Sequence, residues 1–137
     1  MADTVNLGWE SFAGVKSRLQ SRALVDLFEH WDAIRDGTLI PSRAALDPTK
    51  MPYSLPYIWM GDVNGACGGF VYRLAGEALN TLHGRSLKGC SIAEVVPITR
   101  RHLICARFER AVGTPAVVYN FGQVYAELAH HYLGERL

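Results

Sequence analysis

The stretch YRLAGEALNTLHGRSLKGCSIAEVVP, from Tyr72 to Pro97, limits the fold more than any other part of the chain because glycine interrupts it at short, uneven intervals. Gly76 and Gly84 bracket about two helical turns, and Pro97 stops another short turn. Glycine permits backbone exits with φ > 0 that other residues reach only with strain. We therefore expect very short helices here, which let the chain wrap tightly over a sheet.

A longer amphipathic helix is predicted earlier in the chain, over residues 17–36. Its apolar side chains recur at steps of three and four, which places them on one helical face. They are Leu24, Leu27, Phe28, Trp31 and Ile34. Ser17 suits the start of this helix and Gly37 suits its end. The apolar face must be buried on the protein's own sheet or against a second copy, so we expect a homodimer that uses it at least in part.

The remaining pattern predicts one domain over 17–137, preceded by a flexible leader over 1–16 that lacks periodicity. Repeated prolines make 38–54 an extended connector, and 55–137 forms the core. In the core, YIWMGDV and FVYRLA are aromatic and β-branched, and the glycine-rich loop between them predicts an antiparallel hairpin. Alternation places Phe70, Tyr72 and Leu74 on one side of its second strand.

The C-terminal third is predicted to hold one helix followed by strands. The segment ITRRHLICARFERAVG has helical periodicity, and PAVVYNFG alternates as a strand does. The last segment, QVYAELAHHYLGERL, fits either a strand or a helix, and its alternation favours the strand.

Charge and cysteine content exclude several classes of protein. The 137 residues carry a net charge of +1, so the electrostatic field that draws proteins to nucleic acid is missing. The apolar runs are too short to cross a membrane, and no signal peptide is legible, so a cytoplasmic protein is expected. The three cysteines lack C-x-x-C spacing, which argues against a zinc site and favours reduced thiols.

The order of the elements, together with four sequence blocks, resembles a PAS domain, and in particular a bacterial branch of small, often stand-alone PAS proteins. The blocks are LIPSRAALDP (Leu39–Pro48), LPYIWMGDV (Leu55–Val63), FVYRLAG (Phe70–Gly76) and HGRSLKGCSIAEVVP (His83–Pro97). The resemblance extends from about Ser17 to the C-terminus.

This resemblance implies an α+β fold, in which an antiparallel sheet is flanked by short helices and preceded by an N-terminal amphipathic helix. PAS sheets usually have five strands, but only four can be counted here. The resemblance therefore leaves the last strand missing, displaced or completed by a partner chain, because an unpaired edge favours pairing with another chain.

The resemblance further implies a cavity for a ligand, and we expect five residues to border it: Trp59, Tyr72, Arg73, Phe108 and Tyr119. The aromatic residues serve either core packing or cavity lining. Arg73 serves either a structural ion pair or recognition of an anionic ligand. No cofactor is expected, because the flavin-binding cysteine motif is absent and His102 has the surroundings of a surface residue rather than of a haem ligand.

By resemblance, the chain is expected to be a non-catalytic sensory module that binds an unidentified small molecule and signals through a partner protein. The alternative is a protein-interaction or dimerisation module with a filled interior. A small enzyme with an α+β cup is a third class, but no catalytic motif in the sequence supports it.

Overall fold

The computed structural model describes residues 12–38, 40–65, 69–114, 117, 120–124 and 132–136. Within these residues, five helices and four strands follow in chain order: α1 (Phe12–Arg18), α2 (Arg22–Arg35), β1 (Trp59–Asp62), β2 (Val71–Ala75), α3 (Glu77–His83), α4 (Ile92–Val95), α5 (Ile98–Gly113), β3 (Asn120–Val124) and β4 (Tyr132–Arg136). Three single turns of 3-10 helix precede β1: Arg43–Ala45, Pro48–Lys50 and Leu55–Tyr57. The predicted α+β fold with antiparallel strands and short helices is confirmed.

The predicted N-terminal amphipathic helix is α2, but it begins later than the sequence pattern indicates. Ser17 belongs to α1, where its Oγ donates a hydrogen bond to the Gly14 carbonyl at 2.7 Å. Ser21 is the N-cap residue of α2, and Asp36, in the left-handed conformation, ends the helix. The helix start differs from the predicted one because both Ser17 and Ser21 suit an N-cap, and the apolar period does not distinguish between them.

Helix α1 begins inside the segment that the sequence suggests is a flexible leader. An ion pair of 3.0 Å between Lys16 and Glu29 joins α1 to α2, and Leu19, directly after α1, is buried. The pairing of Lys16 with a residue thirteen positions later is not a local signal, so the sequence pattern does not reveal it. Residues 1–11 lie outside the described residues.

The hairpin is confirmed as the antiparallel pair β1 and β2, with an irregularity at Arg73. Met60 pairs with Leu74, whereas the next residue, Gly61, pairs with Tyr72, so Arg73 is an extra residue in β2. A β-bulge of this kind reverses the side to which the following residues point. Tyr72 is accordingly buried, but Leu74 is exposed, which corrects the prediction that the two share a face.

Helices α3 and α4 are the short helices predicted between glycines. Gly84 has φ of 65° and ends α3, as expected for a left-handed exit. Gly76 differs, because its φ is −67° and its role is to leave space. A Cβ atom at Gly76 would lie 2.3 Å from the carbonyl oxygen of Leu55 and 2.4 Å from that of Pro56. The turn Leu55–Tyr57, which continues the connector, thus passes directly over the start of α3.

One hydrophobic core joins β2, the short helices and α5. We call it the core cluster, and its buried members are Phe70, Tyr72, Leu79, Leu87, Cys90, Ile92, Val96 and Ile104. The chain after α3 reaches β2 through hydrogen bonds from the Tyr72 amide to the Cys90 carbonyl (2.9 Å) and from the Ile92 amide to the Phe70 carbonyl (2.8 Å). Short helices are needed here because the chain must return to the edge of β2 between them.

The predicted long helix is α5, and the two final strands form a separate antiparallel pair. Asn120 of β3 pairs with Arg136 of β4, and Val124 pairs with Tyr132. Strand rather than helix is therefore correct for Tyr132–Arg136, the final part of the ambiguous segment. Within the described residues, β1 pairs with β2 and β3 pairs with β4.

Candidate functional site

Four aromatic side chains meet between the hairpin and α5. The Trp59 ring contacts Tyr72 and Phe108 edge to face, with ring centroids 5.5 and 5.3 Å apart. Phe70 lies 6.5 Å from Phe108 in a tilted arrangement. We call Trp59, Phe70, Tyr72 and Phe108 the aromatic cluster. Its geometry is the one that aromatic pairs prefer, with the ring edge of one residue directed at the face of the next.

The secondary structure explains why these rings meet. Phe70 directly precedes β2 and Tyr72 is its second residue, so the two lie two residues apart, before the bulge, and both are buried in the core. Trp59 begins β1, opposite Ala75, and Phe108 follows the buried Ile104 by one helical turn of α5. Trp59 and Phe108 pack against the core cluster but are only partly buried themselves.

Three of the five predicted ligand-site residues are therefore brought together: Trp59, Tyr72 and Phe108. Tyr119 lies outside the described residues. Phe70 was not among the predicted site residues, although its alternation with Tyr72 already placed it on the same face of the strand.

Arg73 is not brought into the aromatic cluster. It is exposed at the bulge of β2, and its guanidinium contacts the Asp62 carboxylate at 3.3 Å, with about half of each side chain exposed. This geometry corresponds to the structural ion pair that the sequence left open as one of two roles for Arg73. An exposed pair of this kind contributes little to stability.

Helix α5 carries three other arginines on its inward side. Ile104 is buried in the core cluster and Phe108 packs against it, so these residues mark that side. Arg100 lies four residues before Ile104, and Arg107 lies three residues after it. Arg101 lies seven residues before Phe108. These helical spacings place all three arginines on the inward side. Their Nε atoms are shielded from solvent. Helical spacing could have identified these arginines from the sequence.

Arg101 is the most informative of the three. Its Nε has no hydrogen-bond acceptor among the residues that the structure describes. A guanidinium nitrogen that is shielded from water and lacks an acceptor is costly, and an anion placed against it would remove that cost. The inward side of α5 is therefore suited to contact a carboxylate or phosphate.

The cysteines differ from one another. Cys90 is a buried free thiol, and a guanidinium nitrogen of Arg85 lies 2.9 Å from its sulfur. Cys105 is disulfide-bonded, so the expectation that all three cysteines are reduced thiols is wrong. A missing C-x-x-C motif does not exclude a disulfide, because bonded cysteines are often distant in sequence. No cluster of three or more potential metal ligands occurs among the described residues.

The apolar face of α2 is partly used within the chain. Phe28 is only 2% exposed, whereas Leu24, Leu27, Trp31 and Ile34 are partly buried. The Ser54 hydroxyl donates a hydrogen bond to the Ala23 carbonyl and so fixes the connector against this helix. The chain's own connector therefore contacts α2, and partly exposed apolar surface remains on the helix.

Comparison with known protein families supports the interpretation of the fold. The PAS domain family matches residues 19–136, which is most of the chain. The chain belongs to the PAS domain family. PAS domains are in general sensory or regulatory modules rather than catalysts. No curated protein and no solved structure matches this PAS domain.

In the described part of the chain, no helix of this PAS domain is long and apolar enough to cross a membrane.

Proposed function

We propose that this PAS domain is a non-catalytic sensory or regulatory module that binds a small organic molecule beside the aromatic cluster and transmits the change to a partner protein. The observation that supports it most is the meeting of Trp59, Tyr72 and Phe108 between the hairpin and α5. Trp59 and Phe108 are only partly buried, and aromatic walls commonly supply most of the contact area in small-molecule sites.

The ligand we propose carries a carboxylate or a phosphate. Arg101 lies on the same side of α5 as Phe108, and its Nε lacks an acceptor among the described residues. Arginine binds both kinds of anion through paired hydrogen bonds. Arg101 replaces Arg73 in this role, since Arg73 is exposed and paired with Asp62.

Thermal unfolding in the presence of a panel of small carboxylates and phosphates tests this proposal. A ligand that binds only the folded protein stabilises it by about 2.7 kcal/mol at a hundredfold excess over its Kd. We expect at least one compound to raise Tm. Loss of one hydrogen bond to a charged group costs about 1.5 to 3 kcal/mol, so Arg101→Gln should weaken binding by roughly ten- to a hundredfold.

Arg73→Gln is the matched control for Arg101→Gln. It removes the same charge from the exposed bulge of β2 and should leave the affinity unchanged. If both substitutions weaken binding equally, the anion is held by the overall charge of the protein and not at α5. Turnover of a bound compound would instead indicate an enzyme.

A second candidate function is a protein-interaction module without a ligand. It is favoured by the contacts among the aromatic rings, because edge-to-face packing at 5.3 and 5.5 Å fills the space between them. No stabilisation by any compound, together with an interior filled by the protein's own side chains, would favour this candidate.

We also propose that the protein is a homodimer that uses the partly exposed apolar side chains of α2. Sedimentation equilibrium up to high micromolar concentration tests this, and Leu27→Glu should shift the population to monomer by placing a charge in the interface. Glu29→Gln, on the same helix, should leave the mass unchanged. A wild-type protein that stays monomeric would exclude the dimer. We also propose that the protein is cytoplasmic, as the sequence predicts.

A further inference from the structure

A histidine fixes the connector to helix α2. The Nε2 atom of His30, in the third turn of α2, accepts a hydrogen bond of 3.0 Å from the backbone amide of Asp47. Nε2 can accept this bond only in the neutral imidazole with its proton on Nδ1, because a protonated Nε2 is itself a donor. The contact therefore depends on the charge state of one side chain.

This hydrogen bond lies beside an open groove of about 520 Å³ between α2 and the connector. Ala33 and Ile34 line it from the helix, and Ala45 and Lys50 line it from the connector. The Ser54 hydroxyl makes a second link to α2 at the Ala23 carbonyl, beyond the groove. Loss of the His30 bond would thus weaken the attachment of the middle of the connector to α2 while this second link remains.

Several charged groups line the same groove as His30, on both of its sides. Asp26 and Glu29 come from α2, and Asp47 and Lys50 come from the connector. Glu29 is paired with Lys16 at 3.0 Å, and Asp26 lies 3.7 Å from an arginine one turn earlier in α2. The three carboxylates outnumber the single lysine, so a positive charge on His30 would find carboxylates nearby.

Asp47 has a second role in the same turn. Its Oδ1 accepts hydrogen bonds from the amide of Thr49 at 3.0 Å and from the hydroxyl of Thr49 at 2.6 Å. These two bonds hold the pKa of the Asp47 carboxyl below its usual value, and positive charge at Lys50 and His30 lowers it further. Asp47 therefore stays ionised in mild acid.

We propose that His30 is a proton-sensitive latch that holds the connector on α2 at neutral pH and releases it in mild acid. A proton from solvent binds Nε2 and occupies the lone pair that accepts the Asp47 amide. The amide then loses its partner, and the imidazolium turns toward a neighbouring carboxylate. The connector continues into Leu55 and Pro56, whose carbonyl groups lie against Gly76 at the start of α3. Release of the connector from α2 therefore changes the link between α2 and the PAS core.

Amide hydrogen exchange at Asp47, measured by NMR at pH 8 and pH 5.5 and corrected for the intrinsic exchange rate, tests the latch. A typical hydrogen bond of this strength predicts that protection falls roughly five- to tenfold at the lower pH. His30→Gln offers an acceptor that does not titrate, and His30→Leu offers none. Asp47 protection should be independent of pH in both variants.

His83→Gln is the matched control, because it removes a histidine whose Nδ1 lies 3.0 Å from the Leu79 carbonyl within α3. This variant should keep the wild-type pH dependence at Asp47. The latch is wrong if wild-type protection does not change between the two pH values. It is equally wrong if the change persists in His30→Gln and His30→Leu.

Discussion

Replacing Gly76 by alanine should destabilise the protein severely, because the new Cβ has no room. It would lie 2.3 Å from the Leu55 carbonyl oxygen, and 2.4 and 2.5 Å from the carbonyl oxygen and carbon of Pro56. All three atoms belong to the backbone, so no side-chain rotation relieves the overlap. The backbone at Gly76 and the backbone at Leu55 and Pro56 must separate by about 1 Å to reach an ordinary van der Waals contact.

The same separation would strain the hydrogen bond of 2.8 Å from the Gly76 amide to the Ile58 carbonyl. Overpacking costs about 1 to 3 kcal/mol, and a weakened backbone hydrogen bond adds about 1 kcal/mol. We expect a loss of about 3 kcal/mol in the free energy of unfolding, a large part of the ~5 to 15 kcal/mol that stabilises a typical domain. In a chain of this length, Tm should fall by roughly 10 °C.

Urea unfolding followed by circular dichroism measures this loss, and Gly113→Ala is the control. Gly113 is the last residue of α5, and a Cβ there meets nothing within 4 Å. Alanine favours helix, so this variant should be as stable as wild type or up to about 1 kcal/mol more stable. A Gly76→Ala protein within 1 kcal/mol of wild type would refute the close approach of the connector to α3.

Three further predictions concern other parts of the chain. Phe108→Ala should lower the free energy of unfolding by about 2 to 3 kcal/mol, less than for a fully buried phenylalanine because Phe108 is only partly buried. Val112→Ala, at an exposed residue of α5, is the control, and a smaller loss for Phe108→Ala than for Val112→Ala would show that the Phe108 ring does not pack on the core. Arg73→Ala should change stability by less than about 1 kcal/mol, because its ion pair with Asp62 is exposed, and a larger loss would mean that Arg73 is buried in solution. Asp47→Ala should be less stable than wild type at neutral pH, where the ionised carboxyl accepts both Thr49 hydrogen bonds. Because the folded-state pKa of Asp47 lies below its usual value of 3.8, that difference should disappear as the pH falls through the folded-state pKa, and a difference that persists in strong acid would contradict the cap.

Much of the fold could be predicted from the sequence because its signals are local. The apolar period of α2, the aromatic strands of the hairpin and the glycines around α3 each lie within one short segment. Their order, together with the four sequence blocks, pointed to the PAS domain family, which the match over residues 19–136 confirms.

Other features depend on residues far apart in the chain, and periodicity does not reveal them. The bulge at Arg73 is defined only by its partner strand, so simple alternation placed Leu74 on the wrong face. Gly76 needs to be glycine because a connector some twenty residues earlier passes over it, whereas the sequence suggested a left-handed turn. The disulfide at Cys105 likewise has no local signature.

The residues of the candidate site were likewise predicted only in part. Trp59, Tyr72 and Phe108 were selected from their positions on elements that border the cavity of PAS domains, and the structure brings them together. Arg73 was selected because a charge in an apolar strand is unusual, but the bulge turns it to solvent. The inward arginines of α5 were missed because His102 and its neighbours were taken as helix surface, although helical spacing from Ile104 and Phe108 could have identified them.

Native mass spectrometry of freshly purified protein tests the central claim most directly, namely that the site beside the aromatic cluster holds a small anionic molecule. We expect the wild-type subunit to exceed the mass of the chain alone by the mass of one small molecule, which is released on denaturation. The Arg101→Gln protein should lack this excess mass, and the Arg73→Gln protein should keep it. A wild-type protein with the mass of the bare chain, which also gains no mass in the presence of the carboxylate and phosphate panel, would contradict it.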